Sequence, residues 1–266
     1  MVLSFKSKSC IMRVSIITVC YNRQNTIMES VASVLMQDYQ DIEYIIVDGA
    51  STDGTVERIR DAVVNHEKWV KFVSEPDQGM YDALNKAIRM ATGDVIGLCH
   101  SDDVLFAKNT ISRIVDAFNH TDCDLLYADG LYVDASCAHK VVRRWIGGRY
   151  STWKVRHGWL PLHTTCYIKR EFMQKHGLYD TQYRIVADTD LLLRYLLLPD
   201  IKVTYLHEYV TRMRMGGVST DASQRKKMWR EDVKAYANHG FAFPTIKKVE
   251  KVLWKVPQFI SARLHK

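Results

Sequence analysis

Residues 75–103 read EPDQGMYDALNKAIRMATGDVIGLCHSDD, and their order decides the fold class. The PDQG at 76–79 is a turn, residues 80–91 carry helical spacing closed by Gly93, and DVIGLC (94–99) is an apolar strand. A near-continuous apolar run of that length marks a strand buried on both faces. This one ends on two adjacent acids, Asp102 and Asp103. Neighbouring carboxylates repel each other, so something must offset the cost.

The same alternation extends upstream. RVSIITV (13–19) is a β-branched strand, NTIMESVASVLMQ (25–37) has helical spacing, and EYIIVD (43–48) is a second strand stopped by GASTDG (49–54). A helix follows over 55–64, WVKFV (69–73) is a third strand, and 111–118 is a further helix. Strand–helix repetition predicts a mostly parallel sheet with helices on both faces. In such sheets ligands bind beyond the carboxyl ends of the strands. Three polar clusters fall there: Cys20-Tyr21-Asn22, Asp48, and Ser101-Asp102-Asp103.

The second half is less regular. DLLYADGLYV (124–133) and KVVRRWI (140–146) read as antiparallel strands, and 149–162 as a loop rich in Trp, Arg and His. Helices are expected over 170–176, 185–198 and 222–239, a strand over 202–206, and a glycine loop at 215–220. The expected organisation is an N-terminal extension (1–12), one catalytic domain (13–220, halves 13–119 and 120–220) and a basic helical tail (221–266).

Composition sets outer bounds. The chain has 266 residues, 47% hydrophobic and 25% charged, so a sizeable core is expected. Its net charge of +7 suits an anionic partner. Six cysteines without a CxxC argue against a zinc site or a disulfide framework and for buried, reduced thiols. No signal-like segment and no apolar run of ~20 residues is present, so a cytoplasmic protein is expected. No GxGxxG follows the first strand, and no GxxxxGK[ST] exists, which excludes two common nucleotide-binding loops.

Chemistry can be assigned to several positions. Asp102 and Asp103 can hold a hard divalent cation, since such ions take oxygen ligands and keep substrate phosphates in their shell. The plain alternative is a solvated turn or helix start. Asp48 precedes Gly49 and could serve simply as a turn residue. In VADTDLLLR (186–194), Asp188 and Asp190 open a helix, either as caps or with Asp188 as a general base. His163 reads as an acceptor or diphosphate contact or as a core histidine. Trp153, Arg156 and Trp159 read as sugar-stacking or packing residues.

Together these blocks resemble the family 2 glycosyltransferases. The matching stretches are SIITVCYNR (15–23), VDGASTDGT (47–55), the opening 75–103, HTTCYIKREFMQKHGLYD (163–180), VADTDLLLR (186–194) and GGVS (216–219). The form EPDQGMYDALNKAI is most similar to enzymes building bacterial surface and exported polysaccharides. The resemblance implies a three-layer α/β/α GT-A fold, a mostly parallel central sheet with a small antiparallel portion, and inverting transfer from a nucleotide-diphospho-sugar, UDP by default. The acceptor is a glycan or a lipid-linked molecule, and the cofactor is Mg²⁺ or Mn²⁺. By the same resemblance Asp103 is the metal ligand, Asp102 a donor contact, Asp48 the nucleoside acid, and Asp188 the catalytic base. Thr18 and Val19 lie where the first loop touches the nucleobase, and Asp77 where the third loop approaches it. Many members carry Glu-Asp where this chain has Ala187-Asp188, which removes any supporting role for that glutamate.

The alternative is a non-catalytic nucleotide-sugar or glycan-binding relative, disfavoured by the intact acids at 48, 102, 103 and 188. Nucleic acid is not an expected partner, because no recognition motif accompanies the basic charge and the cleft acids repel phosphate. The tail TIKKVEKVLWKVPQFISARLHK (245–266) carries Lys247, Lys248, Lys251, Lys255, Arg263 and Lys266 against Glu250 alone. Ile246, Val249, Leu253 and Val256 share one helical face. This helix either lies on an anionic membrane, at the inner face, or docks on its own domain with its basic face in solvent.

Overall fold

The computed structural model describes residues 12–135, 140–216 and 222–258. Four parallel strands form its first half: β1 (Val14–Cys20), β2 (Ile42–Asp48), β3 (Val70–Ser74) and β4 (Val95–Leu98). They are connected by α1 (Ile27–Leu35), α2 (Thr55–Val63) and α3 (Met80–Met90). The chain continues through β5 (Val104–Leu105), α4 (Thr110–Asn119), β6 (Leu125–Val133), β7 (Val141–Trp145) and α5 (Thr152–Arg156). Then come β8 (Tyr167–Lys169), α6 (Arg170–His176), α7 (Ala187–Leu196), β9 (Val203–Arg214), α8 (Arg225–Asn238) and α9 (Pro244–Leu253).

These strands form one sheet in the order β3-β2-β1-β4-β8-β6-β9-β5, with β7 paired to β6. Order reverses at β1: β2 and β3 lie on one side, β4 on the other. A crevice therefore opens beyond the carboxyl ends of β1 and β4, where topology predicts a ligand. The β4–β8, β8–β6, β6–β7 and β9–β5 pairings are antiparallel, while β6–β9 is parallel. This is the GT-A arrangement of a mostly parallel sheet between helical layers.

Strand alternation divides the core in two. Ile17 and Val19 of β1 join Leu84 of α3 and Leu191 of α7 on one face. Val14, Ile16 and Cys20 join Ile27 and Val31 of α1 on the other. All seven β1 residues are buried. The Gly97 position in β4 is dictated by packing: a Cβ there would lie 2.2 Å from the Cε1 of Tyr167, itself fully buried.

Two expectations from sequence need correction. The 149–162 segment is not all loop, because Ser151 accepts the Lys154 N–H and starts α5. The 202–206 strand extends to Arg214 as β9, whose register with β6 shifts twice near Asp129. Its half-buried, polar-rich sequence hides that length from an apolar pattern. Cys20, Cys99, Cys123 and Cys166 are free and buried, as expected, whereas Cys10 and Cys137 lie outside the described residues.

Candidate active site

Register sets Asp48 at the level edge where β1, β2 and β3 end. Cys20 pairs with Asp48, and Asp48 with Ser74, so the ends of β1, β2 and β3 are level. The Asp48 carboxylate is fully buried and saturated by protein donors. It accepts from the Ser51 N–H (2.8 Å), the Ser51 and Ser74 hydroxyls and the Cys20 thiol. Asp48 thus fixes the shape of the 49–54 turn. Next to that turn, Asp77 accepts the Gly79 N–H at 2.7 Å, and its Oδ2 would lie 2.5 Å from any Cβ at position 49. Only glycine at 49 lets Asp77 approach so closely.

Thr18 and Val19 do not face the crevice. The Thr18 hydroxyl donates to the Cys99 carbonyl at 2.6 Å and pairs with the Tyr44 hydroxyl at 2.9 Å, inside the sheet. Val19 packs in the core cluster with α3. A paired strand leaves no side-chain freedom at its last residues, so exposure begins one step later, at Tyr21. Its ring flanks Gly49 beside Asp77. The sequence put the Cys20-Tyr21-Asn22 cluster at this edge but gave Tyr21 no individual role.

Across the crevice, β4 delivers His100, Asp102 and Asp103. Asp103 is only 2% exposed, and its Oδ2 has no hydrogen-bond partner. Burial and the Asp102 charge push its carboxyl well above the usual range, against the backbone N–H and charge of Arg214. A buried, partnerless carboxylate oxygen beside a second acid suits a divalent cation. Among the described residues no cluster of three or more His, Cys, Asp or Glu could hold a metal. Arg214 ends β9, so the late glycine loop leaves from beside Asp103; residues 217–219 of the GGVS block lie outside the described residues.

The opposite wall carries Asp188, in the first turn of α7. Its Oδ1 accepts the Thr189 N–H at 2.8 Å and the Tyr81 hydroxyl at 3.4 Å. Asp190 is the structural acid of the pair: it bonds His239 at 2.9 Å and Arg194 at 3.1 Å. Burial alone would raise the Asp190 carboxyl, but the hydrogen bonds from His239 and Arg194 hold it below the usual range. The two acids of VADTDLLLR thus have different partners.

His163 accepts or donates one 2.6 Å hydrogen bond with Tyr179. Burial drives its pKa to about 4 despite Asp188 nearby, so the ring is neutral at pH 7. His100, which the sequence did not single out, lies 6.2 Å from it between the two acid groups. Trp159 is 4% exposed and packs edge-on against Tyr127 at 5.6 Å. It is therefore a core residue, which favours the packing reading of the two that the sequence left open. Trp153, stacked on His157 at 4.2 Å, is the exposed one.

A GT-A sheet with acids on both walls of its switch-point crevice defines a glycosyltransferase. The chain belongs to glycosyl transferase family 2, whose model matches residues 15–180. A PGL/p-HBAD biosynthesis glycosyltransferase of Mycobacterium bovis is 29% identical over 190 residues, covering 70% of this chain and 71% of the relative. Among solved structures, the mannosyltransferase of Pyrobaculum calidifontis in complex with GDP-Man and Mn²⁺ aligns with TM-score 0.64 and 21% identity, covering 94% of this chain and 74% of that one. The Staphylococcus aureus TarS fragment 1–349 with UDP-GlcNAc aligns with TM-score 0.65 and 17% identity, covering 94% and 79%. At such identities the structural likeness shows the fold alone.

Proposed function

We propose that this glycosyltransferase moves a sugar, with inversion, from a nucleotide-diphospho-sugar to a glycan or lipid-linked acceptor. The wider role proposed is surface or exported polysaccharide synthesis at the cytoplasmic face of a membrane. The observation that carries the chemistry is the state of Asp188. Its Oδ1 is held by Thr189 and Tyr81, while Oδ2 makes no hydrogen bond among the described residues. Asp190, saturated by His239 and Arg194, supplies the local structure instead.

In this reading residues 13–119 bind the donor and 120–220 the acceptor. Tyr21 and Asp77 flank the nucleobase, and Asp48 holds the turn that meets the nucleoside. Asp102 contacts the donor, and Asp103 holds Mg²⁺ or Mn²⁺. That cation supplies charge neutralisation for the departing diphosphate. The neighbouring solved structures support a nucleotide-sugar donor by their GDP-Man, UDP-GlcNAc and Mn²⁺ ligands. Asp188 removes the acceptor hydroxyl proton as that oxygen attacks the anomeric carbon from the side opposite the leaving group. One displacement inverts the centre and needs no enzyme nucleophile. Neutral His163 orients Tyr179 rather than moving protons at pH 7.

The test is nucleotide release from a panel of UDP-, GDP- and dTDP-sugars with Mn²⁺ or Mg²⁺. Asp188→Asn should lower transfer by about 10²–10⁴-fold with donor affinity unchanged. Full activity in that variant refutes the base assignment.

A further inference from the structure

Helix α9 turns its charged face inward and its apolar face to solvent. Lys248 is 5% exposed and shares the fully buried Asp232 with Lys251. Lys251 Nζ also donates to the Thr189 hydroxyl at 2.6 Å. On the other side, Ile246, Val249, Val252, Leu253 and Val256 are 42–60% exposed. The docked-tail alternative read from the sequence had the lysines in solvent. That picture is reversed, because Asp232 anchors the helix by its cations. Rolling the apolar stripe inward would break that buried ion cluster, so the stripe stays at the surface.

Helix α8, packed on α9, adds an exposed aromatic. Trp229 there is 39% exposed, with the Lys248 ammonium 5.6 Å from its ring. Phe243, just before α9, is 67% exposed. The exposed side chains of α8 are largely cationic: Arg225, Lys226, Lys227, Arg230 and Lys234 all face solvent. Both α8 acids turn inward, Glu231 onto the Ile185 and Val186 N–H groups and Asp232 onto the lysines. In α9, Glu250 is paired with Lys247 at 2.8 Å.

We propose that the outer face of α8–α9 rests on a bilayer containing anionic lipid, with the α9 stripe at the headgroup–acyl boundary. An apolar face with Trp and Phe, alongside exposed Lys and Arg, is the composition such a surface takes. A second copy of the chain is the poorer occupant, since a two-fold contact would bring the same cations face to face. The placement also has a catalytic consequence, which rests on the lipid-linked-acceptor reading. Lys251 touches Thr189, the neighbour of Asp188, so the base lies about one helix diameter, ~10 Å, from the bilayer. An acceptor hydroxyl on a lipid-borne headgroup could reach it there.

The experiment is co-sedimentation of the full chain with vesicles of phosphatidylcholine alone or mixed with phosphatidylglycerol, at low and high salt. The proposal expects binding to the phosphatidylglycerol vesicles that weakens with salt. The triple substitution Ile246→Asp, Val249→Asp, Leu253→Asp should cut that binding by at least about tenfold. Donor hydrolysis in solution should not change, since these side chains touch neither core nor crevice. Absent vesicle binding, or equal binding by the triple variant, overturns the proposal. So does a dimer of the parent chain that light scattering shows the triple variant has lost. Loss of vesicle binding leaves the Asp188→Asn result unaffected, so a failure of the sugar-transfer reading registers separately.

Discussion

Replacing Asp232 by Asn tests what holds the C-terminal helix in place. The carboxylate is fully buried and serves Lys248 and Lys251, whose side chains are 7% and 15% exposed. Losing the charge leaves two buried ammonium groups beside each other with no counter-ion. Breaking a buried ion pair from one side costs about 3–5 kcal/mol, because the orphaned charge stays desolvated. For a chain of this size that corresponds to a fall in Tm of roughly 10 °C. Calorimetry gives the total, and hydrogen exchange across α8 and α9 shows whether the loss is local. The Trp254 indole, which donates to the His157 carbonyl at 2.7 Å, reports undocking by fluorescence. Acid should reproduce the effect. Burial alone would raise the Asp232 carboxyl, but Lys251 and Lys248 outweigh it and hold its pKa below the usual range. A depressed carboxyl stabilises the fold above its unfolded value near ~4 and loses that contribution as pH falls through the folded value. Parent protein should therefore lose α9 protection below about pH 4, and the variant should lack that step. A stability change under about 1 kcal/mol, with α9 protection intact, would refute the ion-pair account.

Three further outcomes follow from the geometry. Asp103→Ala should abolish the thermal shift that Mn²⁺ and donor produce together, while the apo protein keeps its Tm or gains slightly, since a buried carboxylate with one partnerless oxygen is removed. His163 should stay neutral until about pH 4, followed by its ring proton shifts. Its depressed pKa means the folded state loses stability as pH drops from ~6.5 toward that value, and a midpoint near 6.5 would contradict its burial. Gly97→Ala should destabilise by about 1–3 kcal/mol, because the new methyl meets the buried Tyr167 ring; unchanged urea midpoints would count against that contact.

Much of the first half was legible because its elements are short-range and periodic. β1, β2 and β4 read as apolar runs, and α3 begins where the turn at 76–79 ends. Their order then placed Asp48, Asp102 and Asp103 on one edge before any contact was known. The second half was harder. β9 carries a polar, half-exposed sequence whose strand character comes from pairing with β6. Trp153 and Trp159 lie six residues apart in one segment, and tertiary packing buries the second and leaves the first exposed.

By itself the sequence determined the alternating strands and helices, the acids at their ends and the family to which those blocks belong. Each of these follows from residue order, because strand and helix periods are local properties of the chain. The tertiary structure decided the partners. It turned Thr18 and Val19 into the core, separated Asp188 from Asp190 by giving the latter His239 and Arg194, and oriented α9 by its lysines. An amphipathic pattern specifies two faces but not which one faces inward. A single buried carboxylate, Asp232, settled that choice from the preceding helix.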